Sequence, residues 1–100
     1  MGISKIYPYS EQTLQLARIA KALGHPARIT IMQYLFENQK ANSPTFQKLT
    51  KLSKSAISKH TKELMFAELV YTDYKENEGS YYLKSEAGLL IQMLIQEINQ

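Results

Sequence analysis

Between Glu11 and Ala67 apolar residues recur three and four apart, and the pattern then switches once, at Leu69-Val70-Tyr71-Thr72-Asp73-Tyr74, to a run of β-forming residues. One such switch in a short chain leaves few folds open: helices, a hairpin, and whatever closes it. Ser10 is placed to cap a first helix over Glu11 to Leu23, with Leu16, Ile19, Ala20 and Leu23 on one stripe. Gly24-His25-Pro26 breaks that helix. Pro26 opens a second at the position where a missing N–H costs nothing, and this helix runs to about Glu37 with Ile31, Met32 and Leu35 inward and Ile29 and Phe36 flanking them. Asn38 to Ser43 reads as polar loop. A short helix fits Thr45 to Thr50, carrying Phe46 and Leu49 inward, and after a turn at Lys51-Leu52 Ser53 caps a longer helix from Lys54 to about Ala67. Lys75 to Gly79 reads as a turn, Ser80 to Leu83 as a return strand, and Ser85 as the cap of a last helix to about Asn99. The expected fold class is mainly α with a small antiparallel β-hairpin, in the order α-α-α-α-β-β-α. With 100 residues, positions 1–100 are expected to form one domain. The two short helices and their tight turn make a helix-turn-helix, and the hairpin behind them a wing.

Charge is segregated along this frame. Met1 to Glu37 holds four basic and two acidic residues, a net +2. Asn38 to Lys62 holds six lysines and no acid, and Glu63 to the end holds seven acids and two lysines, a net −5. A basic block between weaker and acidic ends is the footprint of a polyanion site. The other account, a solvated lysine face, is decided by the pattern inside the block. On the Lys54–Ala67 helix, Ile57 centres a buried face with Ser53, His60, Thr61 and Leu64 within about 60° of it at 100° per residue. Ser55, Lys59, Lys62 and Phe66 point the opposite way, with Ser58 on their flank. A helix fits the major groove, and lysine and serine at its N-terminal half can reach base edges. Ser55, Ser58 and Lys59 are therefore the expected base readers, and Lys48, Lys51, Lys54 and Lys62 the flanking cations. His60, between Ile57 and Leu64, reads as a hydrogen-bonded packing residue. Thr61 is expected to place its hydroxyl on the carbonyl four residues back.

These residues resemble a known family, the arsenic-repressor-like (ArsR/SmtB) winged-helix transcriptional regulators. Leu23-Gly24-His25-Pro26-Ala27-Arg28-Ile29-Thr30-Ile31-Met32 is similar to that family's second-helix signature, a Pro-x-Arg before an apolar helix. Leu52 to His60 resembles its recognition-helix pattern ending in Ser-Arg-His, and Gly79-Ser80-Tyr81-Tyr82-Leu83 resembles the Gly-x-x-Tyr-x-Leu return strand of its wing. The likeness spans about Leu14 to Ile98. It implies a homodimeric repressor on an inverted-repeat operator in double-stranded DNA, with Ser55, Ser58 and Lys59 at the base-reading positions. The chain departs from the pattern in three places. Thr61 stands where the family usually has Leu, and Glu68 where it usually has Gly. Asp73, Glu76 and Glu78 stand on the wing, where family wings often present Arg.

The family's metal-sensing parts are also missing. The chain has no cysteine, no His between Leu83 and Gln100, and only His25 and His60 elsewhere, so no metal and no cofactor is expected. With one Asp and no Gly-rich loop, no nucleophile–base pair is legible either, and enzymatic activity is not expected. No apolar run reaches the ~18 residues of a membrane span, and Met1 to Ser10 lacks the apolar core of a signal peptide. A cytoplasmic protein with no membrane contact is the expectation.

The last helix is apolar on nearly all sides, from Ala87 through Leu89, Leu90, Ile91, Met93, Leu94 and Ile95 to Ile98, with Gln92, Gln96 and Glu97 as polar relief. A helix buried on one face shows a stripe, so this one needs cover on two. A two-fold dimer through Leu90, Leu94, Ile95 and Ile98, with Leu16 of the first helix, would supply it, and Tyr7-Pro8-Tyr9 would add an N-terminal arm. A second function remains open at this point: a winged-helix protein–protein interaction module, favoured by the acidic wing and acidic C-terminal third.

Overall fold

The computed structural model describes residues 8–73 and 79–100. Tyr74 of the expected first strand and Lys75 to Glu78 of the expected Lys75–Gly79 turn, with Glu76 and Glu78, fall outside the described residues, as does Tyr7 of the expected arm. The elements run α1 (Glu11–Ala22), α2 (Pro26–Asn38), β1 (Lys40–Asn42), α3 (Ser43–Thr50), α4 (Lys54–Phe66), β2 (Val70–Thr72), β3 (Ser80–Leu83) and α5 (Ala87–Ile98). This is the expected winged helix-turn-helix, mostly helical with a small antiparallel sheet.

Each helix start has a chemical cause. Ser10 Oγ accepts from Thr13 N at 3.0 Å and Ser53 Oγ from Ala56 N at 3.2 Å, both as expected of N-caps. Pro26 sits in the first turn of α2, where His25 is the cap and its Nδ1 accepts from Ala27 N at 3.0 Å. The short helix starts two residues earlier than expected, at Ser43. Asn42 Oδ1 accepts from Thr45 N at 3.1 Å, and Pro44 fits the first turn, where its N–H is not needed. Ser85 does not cap α5. Glu86 holds that position without a side-chain bond to the helix, and Ser85 Oγ donates to Glu86 Oε1 at 3.1 Å. These hydrogen bonds, from the Glu86 backbone and then from Ser85, hold the Glu86 carboxyl below the usual carboxylate range.

Part of the Asn38–Ser43 segment, expected as loop, is strand. Gln39 closes α2 in the left-handed region, at φ 72°, with its N–H on Leu35 O at 2.7 Å. Its own carbonyl accepts from Leu83 N at 3.0 Å, which turns the chain along β3. β1 then pairs with β3 in the register Lys40↔Tyr82, Ala41↔Tyr81, Asn42↔Ser80, while β2 pairs on the other side through Val70↔Leu83, Tyr71↔Tyr82 and Thr72↔Tyr81. The sheet order is β1-β3-β2, all antiparallel.

The core lies between the helices and the inner side of the sheet, with α1 packed on α4 and α5, and α2 on α3, α4 and the strands. Ile19, Ile31, Leu35, Phe46, Ile57, Leu64 and Leu69 are fully buried there, each stabilising the fold by about 1.5–3 kcal/mol as transferred side chains. Phe46 stands edge-on to Tyr34 at 6.3 Å and tilts against Tyr81 at 5.9 Å, joining α2, α3 and the sheet. Leu49, expected inward, is 45 % exposed instead. On the eight-residue α3, Phe46 and Ser43 take up the buried side one turn apart, and Leu49 falls beside it.

Candidate nucleic-acid interface

The tight turn before α4 is built by Thr50 and Lys51. Thr50 Oγ1 donates to Phe46 O at 2.7 Å and accepts from Leu52 N at 3.3 Å. Lys51 takes the left-handed conformation, φ 63°, with its N–H on Gln47 O at 2.8 Å. A left-handed residue ends α3 sharply and lets the chain restart at Ser53 in a new direction. The packing of α4 is then set by Ile57, Thr61 and Leu64, all buried. Thr61 donates to Ile57 O at 2.9 Å, as expected, and lies 3.1 Å from Ser58 O, so its hydroxyl is satisfied inside its own helix.

With that stripe inward, Lys54, Ser55, Ser58, Lys59 and Lys62 are all exposed, and so are Lys48 on α3 and Lys51 in the turn. The first turn of α4 carries no acid, so the positive end of the helix and Lys54 stand together. The outer face is thus cationic and rich in hydroxyl donors, a surface chemically suited to phosphate and to base edges. Phe66, near the far end of this face, is 75 % exposed. Lys40 belongs to the same basic block in sequence but sits elsewhere. Its Nζ lies 5.9 Å from the centre of the Tyr82 ring, which stacks on Tyr71 at 5.3 Å across the sheet.

His60 faces α2, half-buried. Arg28 Nε donates to its Nδ1 at 3.1 Å, and Arg28 Nη1 donates to the last-turn carbonyls of α1, Lys21 O at 3.1 Å and Ala22 O at 3.4 Å. The His25 ring packs against His60 with centroids 4.3 Å apart. Burial first, then the neighbouring His25 and Arg28, push the His60 imidazole below its ordinary pKa. The expected packing role of His60 therefore has a defined partner. The sequence marks Arg28 only through the Pro-x-Arg likeness, because a contact 32 residues away leaves no periodic trace.

Among the residues expected at a dimer interface, Leu16 is only 3 % exposed and belongs to the chain's own core, where α1 packs on its neighbours. Leu90 and Leu94 are half-buried against that core, while Ile95 and Ile98 stay 55 % and 76 % exposed, as does Leu89 at 60 %. Beside them the end of α1, α2 and α5 leave an open, mostly apolar cleft of about 720 Å³, lined by Leu23, Ile29, Met32, Phe36 and Ile91 together with Gln33 and Glu37. Among the described residues no three His, Asp or Glu side chains gather where they could hold a metal ion. No described helix is long and apolar enough to cross a membrane.

No family model matches the chain, and no curated protein matches it. Among solved structures, HlyU from Vibrio cholerae superposes with a TM-score of 0.67, covering 92 % of this chain and 100 % of the other at 21 % identity. At that identity the likeness is one of fold.

Proposed function

We propose that this chain is a sequence-specific DNA-binding transcriptional regulator, a dimeric repressor made of one domain and independent of metal. The observation that carries the reading is the outer face of α4. Its exposed Ser55, Ser58, Lys59 and Lys62 are backed by a buried Ile57–Thr61–Leu64 stripe and flanked by Lys48, Lys51 and Lys54. A helix anchored on one side and cationic on the other is what the major groove admits. The fold shared with HlyU is in keeping with this use of the helix-turn-helix.

Ser55, Ser58 and Lys59 are assigned to base edges, and Lys48, Lys51, Lys54 and Lys62 to phosphate, which contributes affinity without sequence information. Ile95 and Ile98, with the outer edges of Leu90 and Leu94, are assigned to the two-fold seam, so the operator is an inverted repeat with half-sites about one helical turn apart. The test is selection of bound duplexes from a random library, followed by titration of the selected and a scrambled duplex across a salt series. A selected inverted repeat bound more tightly than the scrambled duplex, with affinity falling steeply in salt, supports the reading. Failure to enrich any sequence, with capture of a protein instead, would favour an interaction module.

A further inference from the structure

The Arg28–His60 contact joins three helices at one point. Arg28 is fixed by the C-terminal carbonyls of α1, where a cation is favoured by the helix dipole, and its Nε then reaches across to α4. An arginine has only donors, so the bond exists only while His60 Nδ1 keeps its lone pair, with the imidazole neutral and its proton on Nε2. A proton on Nδ1 would remove the acceptor and set an imidazolium against a guanidinium. We propose that this contact is a proton-sensitive latch: neutral His60 holds the reading face of α4 in register with α1 and α2, and its protonation frees that helix.

The surroundings favour such behaviour. From α2, Arg28 and the capping residue His25 face the ring, and His25 also uses Nδ1 as an acceptor. From α1 come the carbonyls of Lys21 and Ala22, already taken by Arg28. On α4 itself, Lys59, Lys62 and Glu63 share a hollow with Arg28 and His60, and Glu63 is the single carboxylate among the residues lining it. Toward α3, the hollow beside His25 is lined by Leu49, Thr50 and Leu52, none of them charged. An added positive charge would thus meet mostly cations.

The sign follows from linkage. The fold lowers the His60 pKa, so the unfolded chain takes up the proton first as pH falls. The stabilisation is present above the ordinary histidine range near 6.5 and is lost progressively below it, until the lowered folded value is passed. The chain has two histidines, so two substitutions account for every imidazole.

Urea unfolding of the full chain between pH 7.5 and pH 5 tests the latch, using wild type, His60→Gln, and His25→Asn, whose side chain can still cap α2. The folding constant of wild type should fall about fivefold, the worth of one net hydrogen bond. His25→Asn should keep most of that fall, and His60→Gln should abolish it. Imidazole ¹⁵N NMR of wild type should show His60 protonated on Nε2 alone at neutral pH, a readout that survives even if a variant does not fold. An Nδ1-protonated His60, or an unchanged fall in His60→Gln, overturns the latch. Its regulatory meaning rests on the DNA reading proposed above, and the two fail separately. If no duplex is selected at pH 7.5, that reading fails while the unfolding and NMR data still decide the latch. With a selected duplex in hand, discrimination against scrambled DNA should narrow severalfold at pH 5.5 in wild type and hold in His60→Gln. Equal discrimination at both pH values in wild type would remove the regulatory role.

Discussion

Two helices of nearly equal length, α4 and α5, make opposite use of their surfaces. α4 buries Ile57, Thr61 and Leu64 and turns serines and lysines outward, so its apolar stripe is already covered within one chain. α5 buries only Ala87 completely, and Leu89, Ile95 and Ile98 remain open to water. The difference lies in what each face still lacks. The outer face of α4 lacks anions, whereas that of α5 lacks apolar cover. Two helices of similar length thus carry outer faces of different chemistry, cationic on one and apolar on the other.

That contrast can be broken most forcefully from the inside. Leu64→Ala, on the buried stripe of α4, should destabilise the chain by about 2–5 kcal/mol, whereas Ile98→Ala, exposed on α5, should change monomer stability by no more than about 0.5 kcal/mol. Denaturant unfolding of both variants at concentrations below dimer formation reads the difference. Comparable losses at the two positions would mean that the α5 face is covered within the chain. On the outer face of α4, Lys59→Ala should cost about 1–3 kcal/mol per half-site on the selected duplex and narrow its advantage over scrambled DNA. Lys62→Ala should weaken both duplexes alike. Each dimer would lose two phosphate contacts, so its salt slope should drop by roughly two. Fluorescence anisotropy across a salt series separates these two behaviours.

On α5 the expected outcome is a change of mass. Ile95→Glu should raise the dimer dissociation constant about tenfold or more, equivalent to ~1.4 kcal/mol, because a carboxylate would be left without water or a partner in an apolar seam. Sedimentation velocity over a concentration series measures it, and a mass unchanged by the substitution would sink the two-fold seam. The smallest effect belongs to the turn after α4. Glu68 sits at φ 64°, a left-handed conformation that strains a side-chain-bearing residue and leaves glycine unstrained. Glu68→Gly, the residue the resemblance places there, should stabilise the chain by about 0.5–1 kcal/mol in the same unfolding assay.

Much of this was legible in residue order because it depends on near neighbours. The caps at Ser10 and Ser53, the place of Pro26, the inward stripe of α4 and the Thr61 back-bond all involve residues within about four positions of one another, and each has a local signature. The start of α3 at Ser43 was legible in principle, since Asn42 and Pro44 form a cap and first-turn pair that the expected Thr45 start passed over. The charged outer face of α4 follows from the same periodicity, while Lys48 and Lys51 are marked only by the run of lysines without an acid.

What escaped that reading depends on distant partners. Lys40-Ala41-Asn42 is too short for its alternation to stand out and has no β-forming residue. It is a strand because Gln39 turns the chain along β3, whose own residues stand about forty positions away. Leu16 lies on a stripe that could serve the core or a partner, and only the packing of α1 on its neighbours assigns it to the core. Arg28 and His60 are 32 residues apart; the period of α4 turns His60 inward, but nothing in local order names Arg28 as its partner. Hydrophobic period and capping chemistry act over one or two turns and so are written in local order. Strand pairing, burial and long-range hydrogen bonds act between segments that meet only when the chain is folded, and those the tertiary structure alone decided.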